Sequence, residues 1–230
     1  MLKLLKIDVG VKMKKFLIFV SLLFIVTGCS NGQFMPNYDK MQISDEGING
    51  YYLDLRVYGE LNNDIIKKTI KIDNYNNKEY GIVYMDSNIT DAEGSIVEDK
   101  YYLLNDTAYV LNAEGEYVED NNDVKYNNTN IYLEGIKKVA DISEPKEETI
   151  GLSTYDVYEV TFAKRNVQEI IDYLEINNLE LSDDVKGQIY LDKDEYVHKI
   201  IYNIEDLEII ASYYLIDKAT EIKLQTENGI

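Results

Sequence analysis

The chain has 230 residues, of which 45% are hydrophobic, and its 42 acidic and 23 basic side chains give a formal net charge of −19. A protein this acidic repels nucleic-acid phosphates, whose binding depends on Lys and Arg contacts, and it repels anionic lipid headgroups. DNA binding, RNA binding and charge-driven adsorption to a membrane are therefore excluded, whereas the abundance of Ile, Leu, Val and Tyr is typical of a folded protein with one sizeable core.

The first 28 residues differ in kind from the rest. A basic Met-Lys-Lys at 13–15 precedes an apolar run over 16–26, and Thr27-Gly28 leads to Cys29. This order is typical of a secretory signal. The apolar run is too short to span a bilayer, which takes about 20 residues. An uncleaved apolar anchor, or cleavage at another position, is the alternative interpretation.

The segment Ile25-Val-Thr-Gly-Cys29 resembles the lipobox of bacterial lipoproteins, although Thr27 stands where Ala, Ser or Gly is more usual. The resemblance implies that Cys29 receives an S-diacylglyceryl group, that the chain is cut just before it, and that its freed amine is open to acylation with palmitate. Two acyl chains anchor a protein stably, whereas one binds reversibly. We therefore predict a lipoprotein on the extracytoplasmic face of the cell membrane, with residues 1–28 as signal peptide and 29–46 as a lipidated flexible tether.

Residues 47–230 predict a single domain that begins with a series of strands. In 51–58, Tyr51, Leu53, Leu55 and Val57 alternate with a second set of side chains, which is the period of a half-buried strand. Further strands are predicted at 65–72, 79–85, 95–103 and 108–111. Short polar clusters separate them, which favours an antiparallel meander.

Two helices are predicted in the middle of the chain, at 130–140 and 166–174. In the second, Asn166 and Glu169 have the spacing of a capping box. Its apolar side chains lie at helical spacing, at Val167, Ile170, Ile171 and Leu174. One apolar stripe implies one partner surface, most simply the sheet.

Strands resume after the first helix. They are predicted at 155–162, 187–192, 196–204 and 208–215, with a further strand at 221–224. There is no alternation of strands and helices that would indicate a parallel sheet. The predicted fold class is α+β, a large curved antiparallel β-sheet of meander or half-barrel type packed on about two short helices.

This order of elements resembles the LolA/LppX-like lipoprotein carriers. The residues that carry the resemblance are the strand pair 187–200, Gly-Gln-Ile-Tyr-Leu-Asp-Lys-Asp-Glu-Tyr-Val-His-Lys-Ile, and the strand and helix over 155–174. The resemblance implies a curved sheet that wraps short helices and encloses an apolar cavity for lipid. It includes no diagnostic motif, so no site residue is transferred from the family.

The sequence predicts no catalytic residue, cofactor or metal site. His198 is the single histidine, and a nucleophile or a zinc site would need additional partners of suitable type. The segments 192–195 and 120–123 resemble calcium loops only superficially, since they lack Gly at the sixth position and Glu at the twelfth, and we interpret both as turns. No glycine-rich loop stands between a strand and a helix to hold a phosphate.

All 21 tyrosines lie beyond residue 28. Candidates for stacking on sugar rings are Tyr52, Tyr58 and the pairs Tyr101-Tyr102 and Tyr213-Tyr214, although alternation sends one ring of each pair to each face. The function predicted first is a non-enzymatic binding or carrier protein for an apolar ligand. The alternative is an interaction or sensor module that binds a protein or cell-wall glycan through a sheet edge or a tyrosine-bearing face.

Overall fold

A computed structural model describes residues 36, 38–41, 48–61, 64–75, 78–87, 95–104, 107–120, 129–220 and 222. All of them belong to the second of the two units into which the chain divides, Met35–Ile230. The predicted signal peptide, Cys29 and most of the predicted tether lie outside the described residues, so the boundary after residue 28 stays a prediction. Within the predicted tether, Tyr38–Met41 form a 3₁₀ turn whose Met41 side chain is buried in the core, so this part of 29–46 is packed on the domain and is not a flexible tether. Within the described part, no helix is long and apolar enough to cross a bilayer.

Twelve antiparallel strands are present among the described residues. The first six are β1 (Gly50–Leu61), β2 (Asp64–Tyr75), β3 (Lys78–Ser87), β4 (Ser95–Leu104), β5 (Thr107–Leu111) and β6 (Tyr117–Asp120). The other six are β7 (Val139–Ile142), β8 (Lys146–Ile150), β9 (Ser153–Phe162), β10 (Val185–Leu191), β11 (Val197–Ile204) and β12 (Leu207–Tyr214). A 3₁₀ turn at Thr129–Leu133 leads into the one-turn helix α1 (Glu134–Lys137), and the longer helix α2 (Lys164–Tyr173) follows β9.

The strands form one sheet in the order β6-β5-β4-β3-β2-β1-β12-β11-β10-β9-β7, with β8 also paired to β9. Two meanders, β1–β6 and β9–β12, therefore extend in opposite directions from the centre, where Leu53 of β1 lies opposite Tyr213 of β12. The described sheet ends at β6 on one side and at β7 and β8 on the other, so it is open and not a closed barrel. The predicted α+β class, with a large antiparallel sheet and two short helices, is confirmed.

One face of the sheet is apolar and forms the core with the helices. Tyr51, Leu53, Leu55 and Val57 are buried, as the alternation in β1 predicts. Each aliphatic side chain of this kind stabilises the fold by about 1.5–3 kcal/mol on burial. The core continues on neighbouring strands and on α2 through Ile70, Ile72, Tyr101, Val167, Ile170, Ile171, Ile189, Ile200, Ile209 and Ala211.

The helix predicted over 130–140 is wrong in its second half. The helical turn ends at Lys137, Lys138 is extended with φ −145° and ψ 99°, and β7 begins at Val139. The reason is a long-range pairing, because Ile142 of β7 lies opposite Val160 of β9. The pairing of β7 with β9 thus overrides the local helix preference of residues 138–140.

The capping box predicted for α2 is also wrong. The helix begins at Lys164, and its N-cap residue Ala163 makes no side-chain hydrogen bond. The backbone N–H of Lys164 instead donates to Asp184 Oδ1 at 2.9 Å. Asn166 donates its side-chain amide to the carbonyl of Glu134 at 2.8 Å, which joins the two helices, and Glu169 pairs with Arg165.

Two further strands, β6 and β8, are absent from the prediction. Both are short and contain charged residues, and β8 reads Lys-Glu-Glu-Thr-Ile. Such strands lie at sheet edges, where an apolar alternation is not required. Of the predicted strand 221–224 only residue 222 is described, and Ile222 is buried without belonging to a strand.

Candidate functional site

The structure describes some of the residues that the sequence singles out and not others. Cys29 lies outside the described residues and stays a prediction. His198 is half-buried beside a bulge between β10 and β11, with its Nε2 atom 3.2 Å from Asp192 Oδ2 and its ring centroid 5.2 Å from that of Tyr155. This places it on the rim of the sheet, held by a carboxylate and an aromatic ring.

The segment 192–195 is a turn, as predicted. Asp192 Oδ1 accepts the backbone N–H groups of Asp194 and Tyr196, both at 2.9 Å. Beyond Asp120, the other calcium-like segment lies outside the described residues. Across the described part of the chain, no three His, Cys, Asp or Glu side chains are grouped closely enough to hold a metal ion.

The two tyrosine pairs differ in how deeply their side chains are buried. Tyr213 is buried and Tyr214 is half-exposed, whereas both members of the pair at 101 and 102 are buried. Tyr102 is covered because the Tyr117 ring packs edge-on against it, with the centroids 4.7 Å apart. The set of tyrosines available for stacking on a glycan is therefore smaller than the sequence indicates.

Tyrosine side chains also line the interior between the sheet and the helices. Four rings, which we call the interior tyrosine cluster, are fully buried there, at Tyr51, Tyr132, Tyr202 and Tyr213. The rings of Tyr51 and Tyr213 meet edge to face with their centroids 5.2 Å apart. The cluster brings phenolic oxygens into a core that is otherwise mostly aliphatic.

Tyr202 is fixed in this cluster by three contacts. Its hydroxyl donates to the backbone carbonyl of Tyr132 at 3.0 Å, and its ring centroid lies 4.6 Å from that of Phe162. Gly135 of α1 faces it so closely that a Cβ atom at that position would lie 2.5 Å from the Tyr202 ring. Burial raises the pKa of the Tyr202 hydroxyl far above its ordinary value, so the phenol stays protonated.

Unlike Tyr202, Tyr213 has no hydrogen bond to fix its hydroxyl among the described residues, although the hydroxyl is buried. Burial raises its pKa well above 10.0, and the neighbouring tyrosines Tyr51, Tyr202 and Tyr132 add to the shift. Most buried polar groups in native proteins are hydrogen-bonded, and an unsatisfied one costs about 1–3 kcal/mol. The hydroxyl therefore requires a partner from an internal water, a ligand or the remainder of the chain.

A buried cation attaches α2 to the same face of the sheet. Lys68 of β2 is buried, and its Nζ atom donates to the carbonyl of Leu174 at 3.0 Å. That carbonyl lies at the C-terminal end of α2, where the helix dipole favours a positive charge. The interior is thus apolar over most of its area, with polar groups at Lys68 and at the interior tyrosine cluster.

The concave pockets among the described residues include the following two. One, of about 540 Å³, lies beside the β8–β9 turn and the β10–β11 turn, and we call it the rim pocket. Its lining includes Glu147, Tyr155, Asp156, Asp192, Lys193 and His198. The other, of about 770 Å³, lies beside the loop over 175–180 that follows α2.

Comparison with known proteins shows a likeness of fold. No family model matches the chain, and no curated protein sequence matches it. LprF from Mycobacterium bovis aligns over 82% of this chain and 95% of its own, with a TM-score of 0.56 and 10% identity. The Mycobacterium tuberculosis lipoprotein LppX aligns over 77% and 91%, with a TM-score of 0.49 and 9% identity.

A LolA superfamily protein from Nitrosomonas europaea covers 81% of this chain and 91% of its own at 9% identity, with a TM-score of 0.30. All three identities are 10% or lower, and of the three structures LprF alone has a TM-score above 0.5. The comparison therefore supports a fold like that of LprF and nothing beyond the fold.

Proposed function

We propose that this chain is a lipid-anchored extracytoplasmic carrier that holds an apolar ligand between its sheet and its helices. The observation that carries the proposal is the Tyr213 hydroxyl, which is buried without a partner among the described residues. A ligand with a long apolar part and one polar group would form a hydrogen bond with this hydroxyl and pack its apolar part on the surrounding aliphatic side chains. The role involves no chemical step.

The extent of the apolar face supports the same proposal. Core side chains reach from Ile189 in β10 to Tyr101 in β4, and Val110 in β5 packs against them. An acyl chain along this face would be surrounded by aliphatic and aromatic carbon, and each of its buried methylenes would contribute about 0.8 kcal/mol. The interior tyrosine cluster then forms the polar end of the proposed site.

Anchoring rests on the sequence at Cys29, since a diacylated cysteine holds a protein stably on a membrane. Cells grown with labelled palmitate are expected to label the wild-type chain in the membrane fraction. Cys29→Ser should abolish the label and either release the chain or leave it unprocessed. A wild-type chain that takes up no palmitate would refute the anchor, without bearing on the ligand.

Native mass spectrometry of the Cys29→Ala chain tests the carrier role. The expected spectrum contains one lipid-sized ligand per chain, and the ligand is lost under denaturing conditions. The matched control is the same chain after extraction with organic solvent and refolding, incubated with phospholipid and with free fatty acid. Chains that are ligand-free in repeated preparations and bind neither lipid would refute the carrier role.

A further inference from the structure

The β8–β9 hairpin presents an exposed apolar tip. Ile150 lies opposite Ser153, so Gly151 and Leu152 form a two-residue turn, with Gly151 at φ +64°. A positive φ at the first turn position is the reason that glycine is preferred there. Leu152 is fully exposed and Ile150 is partly exposed. The far edge of β8 has no strand partner in the described part of the chain.

Two carboxylates face each other behind this tip. Glu147 of β8 lies directly opposite Asp156 of β9, and like charges in that position destabilise a strand pair. Among the described residues, neither side chain forms a hydrogen bond or an ion pair. The hairpin therefore contains an acid pair that no described cation neutralises.

Both members of this acid pair line the rim pocket, which has a volume of about 540 Å³. Asp192 adds a third carboxylate, which His198 contacts, and Lys193 is the one lysine in the lining. Acidic side chains thus outnumber basic ones, and a concave acidic surface attracts cations. The Tyr155 ring in the same lining packs against His198, with the two ring centroids 5.2 Å apart.

The shape of the site favours an organic cation over a metal ion. In the described ranges, no three acidic, His or Cys side chains converge as metal ligands would. A lysine or arginine side chain needs no such convergence, because its long stem brings the charge to the carboxylates while its carbon atoms pack on apolar neighbours. Leu152 at the tip supplies such an apolar neighbour.

We propose that the rim pocket receives a lysine or arginine side chain from an extended segment of a partner protein. The segment lies along the open edge of β8 and packs an apolar residue on Leu152, while its cation lies between Glu147 and Asp156. This binding is independent of the proposed carrier role, since the pocket lies on the rim and not between the sheet and the helices.

Fluorescence anisotropy of a labelled peptide against the full chain in non-ionic detergent tests the proposal. The probe is an octapeptide with two lysines, one leucine and five serines, and its counterpart has glutamates in place of the lysines. The test variant is Glu147→Gln/Asp156→Asn. The matched control, Glu114→Gln/Glu116→Gln, removes the same charge from the exposed turn between β5 and β6.

The lysine peptide is expected to bind the wild type, and the glutamate peptide is not. At near-physiological salt the test variant should weaken binding about tenfold, whereas the control should change it less than about twofold, because distant charges are screened. Equal weakening by both variants would overturn the proposal, since it would indicate attraction to the net charge alone. Absence of binding to the wild type would overturn it as well.

Two further measurements, of thermal stability and of calcium competition, test the proposed site. The test variant should melt at the same temperature as the wild type or higher, because the substitutions remove a repulsion. A lower melting temperature would contradict the unneutralised acid pair. Displacement of the peptide by millimolar calcium through a single 1:1 site would overturn the proposal in favour of a metal ion.

Discussion

Replacing Tyr213 with phenylalanine should change stability in opposite directions in the ligand-free and ligand-loaded protein. The ring keeps its edge contact with Tyr51 at 5.2 Å, so the substitution removes one buried oxygen and little packing. Without ligand, the loss of an unsatisfied hydroxyl should raise the free energy of unfolding by about 1–3 kcal/mol. With ligand, the loss of a hydrogen bond should lower it by about 0.5–1.5 kcal/mol.

Guanidinium unfolding of the Cys29→Ala chain, as purified and after lipid extraction, measures both values. A constant dependence on denaturant concentration would show that the unfolded state is unchanged. The control is Tyr202→Phe, whose hydroxyl donates to the carbonyl of Tyr132. It should lower stability in both states by about 1 kcal/mol. If Tyr213→Phe changed stability with the same sign in both states, the ligand would not contact this hydroxyl.

Three further substitutions or conditions follow from the packing. Asp184→Ala removes the acceptor for the Lys164 N–H and should cost about 0.5–2 kcal/mol, measured by chemical denaturation. Gly135→Ala places a methyl group against the Tyr202 ring and should cost about 1–3 kcal/mol, part of which the added Tyr202→Leu substitution should restore. Alkaline pH should destabilise the fold, because burial raises the pKa of Tyr202 and Tyr213 above 10.0. A proton held more tightly in the folded state gives stability that is complete below about pH 10 and is lost as the pH rises above it.

A specific result would contradict each of these three predictions. Glu169→Ala serves as the control for Asp184→Ala. It removes an exposed helix ion pair and should lower the free energy of unfolding by less than about 0.5 kcal/mol. A larger loss of stability for Glu169→Ala than for Asp184→Ala would indicate that Glu169 caps the helix after all. An unchanged melting temperature for Gly135→Ala would contradict the close approach to Tyr202. Phenolate absorbance that rises fully before circular dichroism is lost would show that the interior hydroxyls ionise in the folded state.

The pattern of strands could be predicted from the sequence because it is a local property. In β1 the apolar residues of the alternation are all buried, although Asp54 between them is buried as well, and the same alternation distinguishes Tyr213 from Tyr214. The charged β8 has no such alternation, since it lies at an edge and buries none of its five residues. Glycine at position 151 is typical of a hairpin turn, but the charged residues of β8 before it do not have the alternation of a strand.

The features that define the sites depend on residues far apart in the chain. The α2 cap is supplied by Asp184, 20 residues from Lys164, so no capping motif around the helix start could predict it. The facing carboxylates of Glu147 and Asp156 follow from the strand register. That the Tyr213 hydroxyl lacks a described partner is a property of the whole interior, which composition and spacing do not determine.

The two central strands of the sheet also have a consequence for the order of folding. Tyr58 of β1 and its cross-strand neighbour Glu208 of β12 are 150 residues apart in sequence. Contacts between such distant residues form slowly, because the entropy of closing a long loop opposes them. Until β12 has been synthesised, the two meanders have no strand to join them. For a chain exported in the unfolded state behind the proposed signal peptide, the sheet would stay incomplete until β12 had crossed the membrane.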